Sequence, residues 1–223
     1  MSAGTEAFPG GVAGGGLARV GGGHAQALTE EPAHGPSKRI VVAYGFWIFL
    51  ISDIILFSAL FASYAVLSEA TADGPTGRDL FELPTVALET ACLLLSTVFC
   101  GFAGIGAQAR RNTLYYGSMA ATFVLGAIFV AIELHEFATM IGAGAGPGRS
   151  AFLSAFFALI GCHGLHVSAG LLWLLTMMAQ VYAKGYRADI RRRLLCFALF
   201  WHTLDIIWVA LFSLVYLVGV APR

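Results

Sequence analysis

The sequence predicts an all-α polytopic membrane protein, a bundle of five transmembrane helices. Three observations carry that expectation. Charged residues are 12% of the 223 positions, about half the roughly 25% of soluble domains. The AVILMFWYC set reaches 58%, and mean hydropathy is +0.78. From residue 40 onward the chain is a series of five long apolar runs separated by short connectors. This composition excludes a soluble globular domain, a disordered chain and a disulfide scaffold. Lys+Arg and Asp+Glu are both 13, so net charge is zero and no basic excess points to nucleic acid.

Residues 1–39 are Gly-rich and have no hydrophobic period. Such a segment lacks the apolar surface that offsets ordering entropy, and a flexible cytoplasmic tail is expected. The apolar runs cover about 40–67, 83–108, 114–141, 150–183 and 194–220. Each exceeds the roughly 20 residues that cross a ~30 Å hydrocarbon core. Each is expected to be helical, because an isolated strand leaves backbone groups unpaired in lipid. Gly74-Pro75 and Gly146-Pro147 mark turns in two of the connectors. Short connectors make sequential helices antiparallel neighbours.

Lys and Arg set the orientation. One side carries Arg19, Lys38, Arg39, Arg110, Arg111, Lys184, Arg187, Arg191, Arg192 and Arg193. The other carries Arg78, Arg149 and Arg223. The positive-inside rule then places the N-terminus in the cytoplasm and the C-terminus in the periplasm.

The informative residues are the ionisable ones inside the runs. An ionisable group at the centre of a span costs roughly 2.5–3.5 kcal/mol on insertion scales. Asp53 lies in the first run, Glu89 in the second, Glu133, His135 and Glu136 in the third, His163 and His166 in the fourth, and His202 and Asp205 in the fifth. Each is expected to face protein or trapped water. At ~1.5 Å of rise per residue, Asp53 and Asp205 lie roughly 17 Å from the cytoplasmic end and His202 roughly 12 Å. On the same ruler Glu89, Glu133 and His163 lie roughly 28–30 Å in. An inner layer of Asp53, His202 and Asp205 and an outer layer of Glu89, Glu133 and His163 are expected. The i,i+3 pairs His163/His166, Glu133/Glu136 and His202/Asp205 each share a helical face. In the fifth run that face continues through Val209, Phe212 or Ser213, and Tyr216.

Three chemistries use such groups. Haem or a metal pair needs histidines or a Glu-x-x-His signature, whereas the third run reads Glu133-Leu134-His135-Glu136. A proton or ion path through a stand-alone transporter is usually accompanied by broken helices or repeats; no span has an internal proline and no repeat is evident. Polar contacts between helices, with lipid headgroups bound at the surface, suit a subunit of a larger assembly. Smaller features have plain readings. Ser96, Cys100 and Gly104 recur at four-residue spacing, which suits close helix approach. Cys92, Cys100, Cys162 and Cys196 sit in apolar runs and read as packing residues. Trp47, Trp173, Trp201 and Trp208 read as packing and interface aromatics. Arg78 is expected to pair with Asp79 or Glu82.

Three segments resemble one family. They are Gly45-Phe46-Trp47-Ile48-Phe49-Leu50-Ile51-Ser52-Asp53, then His163-Gly164-Leu165-His166-Val167, then Phe200-Trp201-His202-Thr203-Leu204-Asp205-Ile206-Ile207-Trp208. Their order and spacing resemble subunit III of the haem–copper terminal oxidases over about residues 40–220. Glu133 and Glu136 match that pattern too. The five-span form, the loop GPTGRDLFELP and the segment RSAFLSAFFALIGCHGLHV most resemble the cytochrome o (bo-type) ubiquinol oxidase branch.

The resemblance implies a non-catalytic subunit of a bacterial cytoplasmic-membrane complex that oxidises ubiquinol, reduces oxygen to water and pumps protons. It implies no haem or copper in this chain, those belonging to subunit I, and contacts with subunits I, II and IV and with phospholipid. It implies that Asp53, Glu89, Glu133, Glu136, His163, His166, His202 and Asp205 serve as buried polar, lipid-binding or proton-uptake support. The family's carboxylate in the first conserved helix is usually Glu, and Asp53 stands there. Subunit III of a five-span cytochrome c oxidase, or of a nitric oxide reductase-type complex, carries similar segments.

Overall fold

Five long helices account for nearly all the residues that the computed structural model describes, 38–72, 74 and 82–220. They are α1 (Lys38–Leu67), α2 (Leu83–Gln108), α3 (Asn112–Gly142), α4 (Ala151–Lys184) and α5 (Ala188–Leu211). A π-helical stretch, Phe212–Leu217, and a last turn, Val218–Val220, extend α5. All five are long and apolar enough to cross a membrane. The chain is thus a multi-pass membrane protein. The tail expected over 1–39 lies outside the described residues, apart from Lys38 and Arg39, which fall in the first turn of α1. Arg78 and Asp79 also lie outside them.

Helix ends follow local chemistry. Pro84 sits in the first turn of α2, where its missing N–H costs nothing. Ser150 caps α4, its Oγ accepting from the Leu153 N–H at 3.2 Å. Gly185 closes α4 at φ +67° and Gly144 turns the chain after α3 at φ +77°. The fifth helix begins at Ala188, ahead of the expected 194, because the polar stretch Asp189 to Arg193 is already helical.

The α2–α3 connection is the tightest. Arg110 takes a left-handed φ of 53°, and the Arg111 N–H donates to the Gly106 carbonyl at 2.9 Å. A Cβ on Gly106 would lie 2.8 Å from the Tyr115 nitrogen. The bare glycine therefore lets the two helices meet directly above the turn. From there α3 packs on α4, α4 on α5, and α5 back on α2, so these four helices close a ring. Helix α1 makes few close backbone approaches and attaches through side chains. Its rings Phe46, Phe49, Phe57 and Tyr64 meet Trp173, Phe200, His163 and Phe152.

Trp201 of α5 fills the centre of the ring. A Cβ on Gly126 of α3 would come within 3.1 Å of its indole, and one on Gly170 of α4 within 2.9 Å. Its Nε1–H donates to Ser96 Oγ of α2 at 3.0 Å. Thr122 of α3 donates to the Ser96 carbonyl at 3.2 Å. One side chain thus touches all the other helices of the ring.

Two expectations are corrected. Gly104 does not mark a close approach, since nothing lies within 4 Å of a Cβ built there; the close approaches are at Gly106, Gly126, Gly164 and Gly170. The buried face of α5 does not run through Val209, which is 42% exposed. It runs through Trp201, Leu204, Asp205, Trp208 and Leu211. The π-helical stretch then shifts the register, so that Val215 and Tyr216 continue the same face.

Gly106→Val should force the α2–α3 hairpin apart, with an overpacking cost of about 1–3 kcal/mol. We expect a lower thermal stability of the purified protein. Gly101→Ala, which has open space around its Cβ, should leave it unchanged.

Candidate functional site

Of the ionisable residues singled out from sequence, His135 is exposed, against the expectation that it faces protein, because it lies on the outer side of α3; the others fall into three groups. The first joins α1 to α4. Asp53 Oδ1 lies 3.8 Å from His166 Nε2, an ion-pair distance longer than a direct hydrogen bond. His166 Nδ1 lies 2.7 Å from the Cys162 carbonyl, one turn earlier on the same helix. A carbonyl only accepts, so Nδ1 carries a proton. Nε2 is then the atom that faces Asp53. Phe57 edges onto the His166 ring at 5.2 Å and shields it. The pair sits at the rim of α1, with side chains 12% and 22% exposed.

The second group joins α5 to α2. Asp205 accepts from the Thr97 hydroxyl in a short hydrogen bond, and its Oδ1 has no partner among the described residues. His202, one turn away, is half-buried and joins no hydrogen bond or ion pair among them. The expected inner layer thus resolves into two separate pairings, Asp53 with His166 and Asp205 with Thr97.

The third group lies where α2 begins and α3 ends. Glu89 is 0% exposed, Glu133 4% and His163 0%. Glu133 fits because Gly164 has no side chain: a Cβ there would sit 2.6 Å from both carboxyl oxygens. Glu136, one turn on from Glu133, is half-buried. His163 is enclosed by rings, stacked on Trp208 at 5.1 Å with Phe129 and Phe57 edge-on. Neither of its ring nitrogens has a hydrogen-bond partner among the described residues. Trp208 itself donates to Thr90 Oγ1 of α2 at 3.0 Å.

Sequence reading passed over the hydroxyl partners Thr90 and Thr97 and took Ser96 only as a small residue for close approach. The signal available was hydroxyl residues recurring within one apolar run. It also passed over a groove of about 490 Å³ between α1, α4 and α5. Phe46, Phe49 and Trp173 line its apolar wall, and Arg192 and Arg193 stand at its rim. Arg193 Nη1 donates to Gln180 Oε1 at 3.0 Å. The neighbouring Asp189 is engaged with Arg187 at 3.4 Å.

Among the described residues, no three His, Cys, Asp or Glu side chains gather to hold an ion. The arrangement offers buried carboxyls, shielded imidazoles and an apolar groove with a cationic rim.

The family model described as cytochrome c oxidase subunit III matches residues 26–220. The cytochrome bo(3) ubiquinol oxidase subunit 3 of Pseudomonas aeruginosa is 50% identical over 196 residues, 88% of this chain and 93% of that protein. The protein of the same name from Buchnera aphidicola subsp. Acyrthosiphon pisum is 42% identical, over 86% of this chain and 93% of its own length. A quinol oxidase subunit 3 from Bacillus spizizenii is 40% identical, over 78% and 86%. With a family match over residues 26–220 and 50% identity to one relative over 88% of this chain, the protein belongs to the subunit III family of the haem–copper terminal oxidases.

Proposed function

We infer that this chain is the non-catalytic subunit III of a proton-pumping cytochrome o-type ubiquinol oxidase in the bacterial cytoplasmic membrane. The observation that carries the reading is the 50% identity to a bo(3) ubiquinol oxidase subunit 3 over 93% of that protein's length. Haem and copper then reside in subunit I, the main contact, with subunits II and IV completing the complex. The basic connectors support an orientation with the N-terminus in the cytoplasm and the C-terminus in the periplasm. Two features of the bundle support its role there.

The first is the groove between α1, α4 and α5. An apolar wall of three aromatic rings suits an acyl chain, and two guanidinium groups at the water-facing rim suit a phosphate. In the inferred orientation it opens to the cytoplasmic leaflet. A phospholipid held there joins α1, which has few close backbone contacts, to the rest of the bundle. The second is the Asp53–His166 pair at the edge of α1. It lies within the hydrocarbon region at the helix that the bundle grips least, so a proton or a polar lipid group can reach it. Binding lipid and presenting a shielded Asp–His pair are ways in which a subunit without redox groups stabilises its catalytic partner and supports proton uptake.

Three measurements test the reading. A reduced-minus-oxidised visible spectrum of the complex captured by an affinity tag on this chain should show b- and o-type haem and no c-type band. Haem a or c would indicate a cytochrome c oxidase instead, and a stable chain free of haem would contradict the subunit assignment.

The groove is tested by Arg192→Ala combined with Arg193→Ala. The double variant should assemble, carry less co-purified phospholipid by phosphate analysis, and lose turnover sooner in detergent. Unchanged lipid content would remove the groove from the account.

At Asp53 a polar and an apolar substitution are expected to differ. Asp53→Asn keeps a polar group beside His166 and should leave assembly intact. Asp53→Leu removes the polar group that faces His166 Nε2. It should loosen α1, read as faster proteolysis of the first connector. Equal behaviour of the two variants would show that the carboxyl is dispensable.

A further inference from the structure

The buried acids at the end of the bundle that holds the 142–150 connector are not used by the lipid groove or by the Asp53–His166 pair. They descend in exposure: Glu82 at the start of α2 is exposed, Glu136 is half-buried, and Glu133 and Glu89 are buried. Glu82, at the N-cap of α2, and Glu89 lie about two turns apart, and Glu133 and Glu136 about one turn apart on α3, so each pair shares a helical face at the end of the bundle where α2 begins and α3 ends. Tyr216 faces Glu89, Glu133 and Glu136 from the π-helical stretch, and Tyr64 of α1 is also close to it. The other titratable neighbours are Cys92, beside Glu89 on α2, and His163 on α4.

Among the described residues, no Lys or Arg forms an ion pair with this group. Both oxygens of Glu89 and Oε2 of Glu133 are buried without a hydrogen-bond partner among the described residues. Two carboxylates without a donor between them repel, whereas a carboxylic O–H supplies the donor. Water is the small ligand that satisfies such oxygens in the interior of a protein. Past Glu89 the way is closed by rings, with Trp208, Phe129 and Phe57 around His163.

We propose that Glu82, Glu136, Glu133 and Glu89 form a blind proton-exchange file, filled by water, that carries protons between the solvent at this end of the bundle and a store at Glu89 and Glu133. Each hop forms one O–H bond on the accepting oxygen and breaks one on the donor, with water as the carrier, and no electron moves. Two features of the backbone build the file. Gly164 leaves room for the Glu133 carboxyl against α4, and the π-helical stretch keeps Tyr216 on the buried face of α5. The store ends blind, so it buffers protons within the subunit and does not conduct them across the membrane.

The test is infrared spectroscopy of the intact oxidase complex in nanodiscs. Wild type minus Glu89→Gln, and wild type minus Glu133→Gln, should each show the loss of one carboxylic acid C=O band. In wild type these bands should shift on transfer to D2O. Glu136→Gln, nearly isosteric, should slow that shift at least about tenfold, the equivalent of about 1.4 kcal/mol on the exchange barrier. Glu82→Gln at the mouth should slow it less. Assembly of each variant is checked by the haem spectrum of the complex. Loss of carboxylate bands in place of acid bands would overturn the proposal, as would a shift equally fast with Glu136→Gln. Should Glu136→Gln fail to assemble, Glu82→Gln decides: a shift as fast as wild type would overturn the file.

Discussion

The packing of Trp201 is the constraint on which the rest of the bundle depends. In lipid the hydrophobic effect does not hold helices together, so association rests on close packing and on hydrogen bonds between helices. Trp201 supplies both at one point. Its ring fills space that two glycines leave open, and its N–H reaches Ser96 across the ring of helices. The four helices are therefore fixed in azimuth as well as in distance. A larger residue at Gly126 or Gly170 would push the indole out, and a different ring at Trp201 would leave the Ser96 hydroxyl without its donor.

That fixed azimuth decides where the polar residues point. On α5, Trp201, Asp205 and Trp208 share the face that Trp201 turns inward, which brings Asp205 to Thr97 and Trp208 to Thr90 and His163. On α4, Gly164 and Gly170 sit one and a half turns apart on the inner side, one receiving Glu133 and the other Trp201. The same rotation turns His166 outward to Asp53 on α1. The site is thus a consequence of one helix rotation per element. The ionisable groups divide between an interior closed by aromatic rings and a rim open to lipid.

The division separates two parts of the subunit. The interior of the four-helix ring is rigid and packed. Helix α1 is the separate piece, bound by rings and by one Asp–His contact, with most of its surface apolar and exposed: Trp47 is 57% exposed and Ile55 63%. Such a helix is stabilised by what surrounds it, whether lipid or partner protein. A subunit built this way links a firm scaffold to an adaptable edge.

The sequence by itself determined the five helices, their membrane-spanning character and the positions of the buried ionisable groups. The apolar runs are longer than any soluble core element requires, and a backbone in lipid has only the helix available. The segments around Asp53, His163 to Val167 and Trp201 to Trp208 were specific enough to point to the family, and the comparisons agree. Tertiary structure alone decided the pairing. Depth counted along each run placed Asp53 with His202 and Asp205, but depth carries no information about azimuth, and the pairs formed instead are Asp53 with His166 and Asp205 with Thr97. Four-residue spacing suggested Gly104 as a close approach. The actual ones are Gly106, Gly126, Gly164 and Gly170, each set by which bulky group the neighbouring helix brings to it. The π-helical stretch was likewise invisible in the sequence, because nothing in Phe212 to Leu217 departs from an ordinary apolar helix. Its wider turn leaves Val215 and Tyr216 buried, and that burial depends on the helices opposite, which local sequence does not specify.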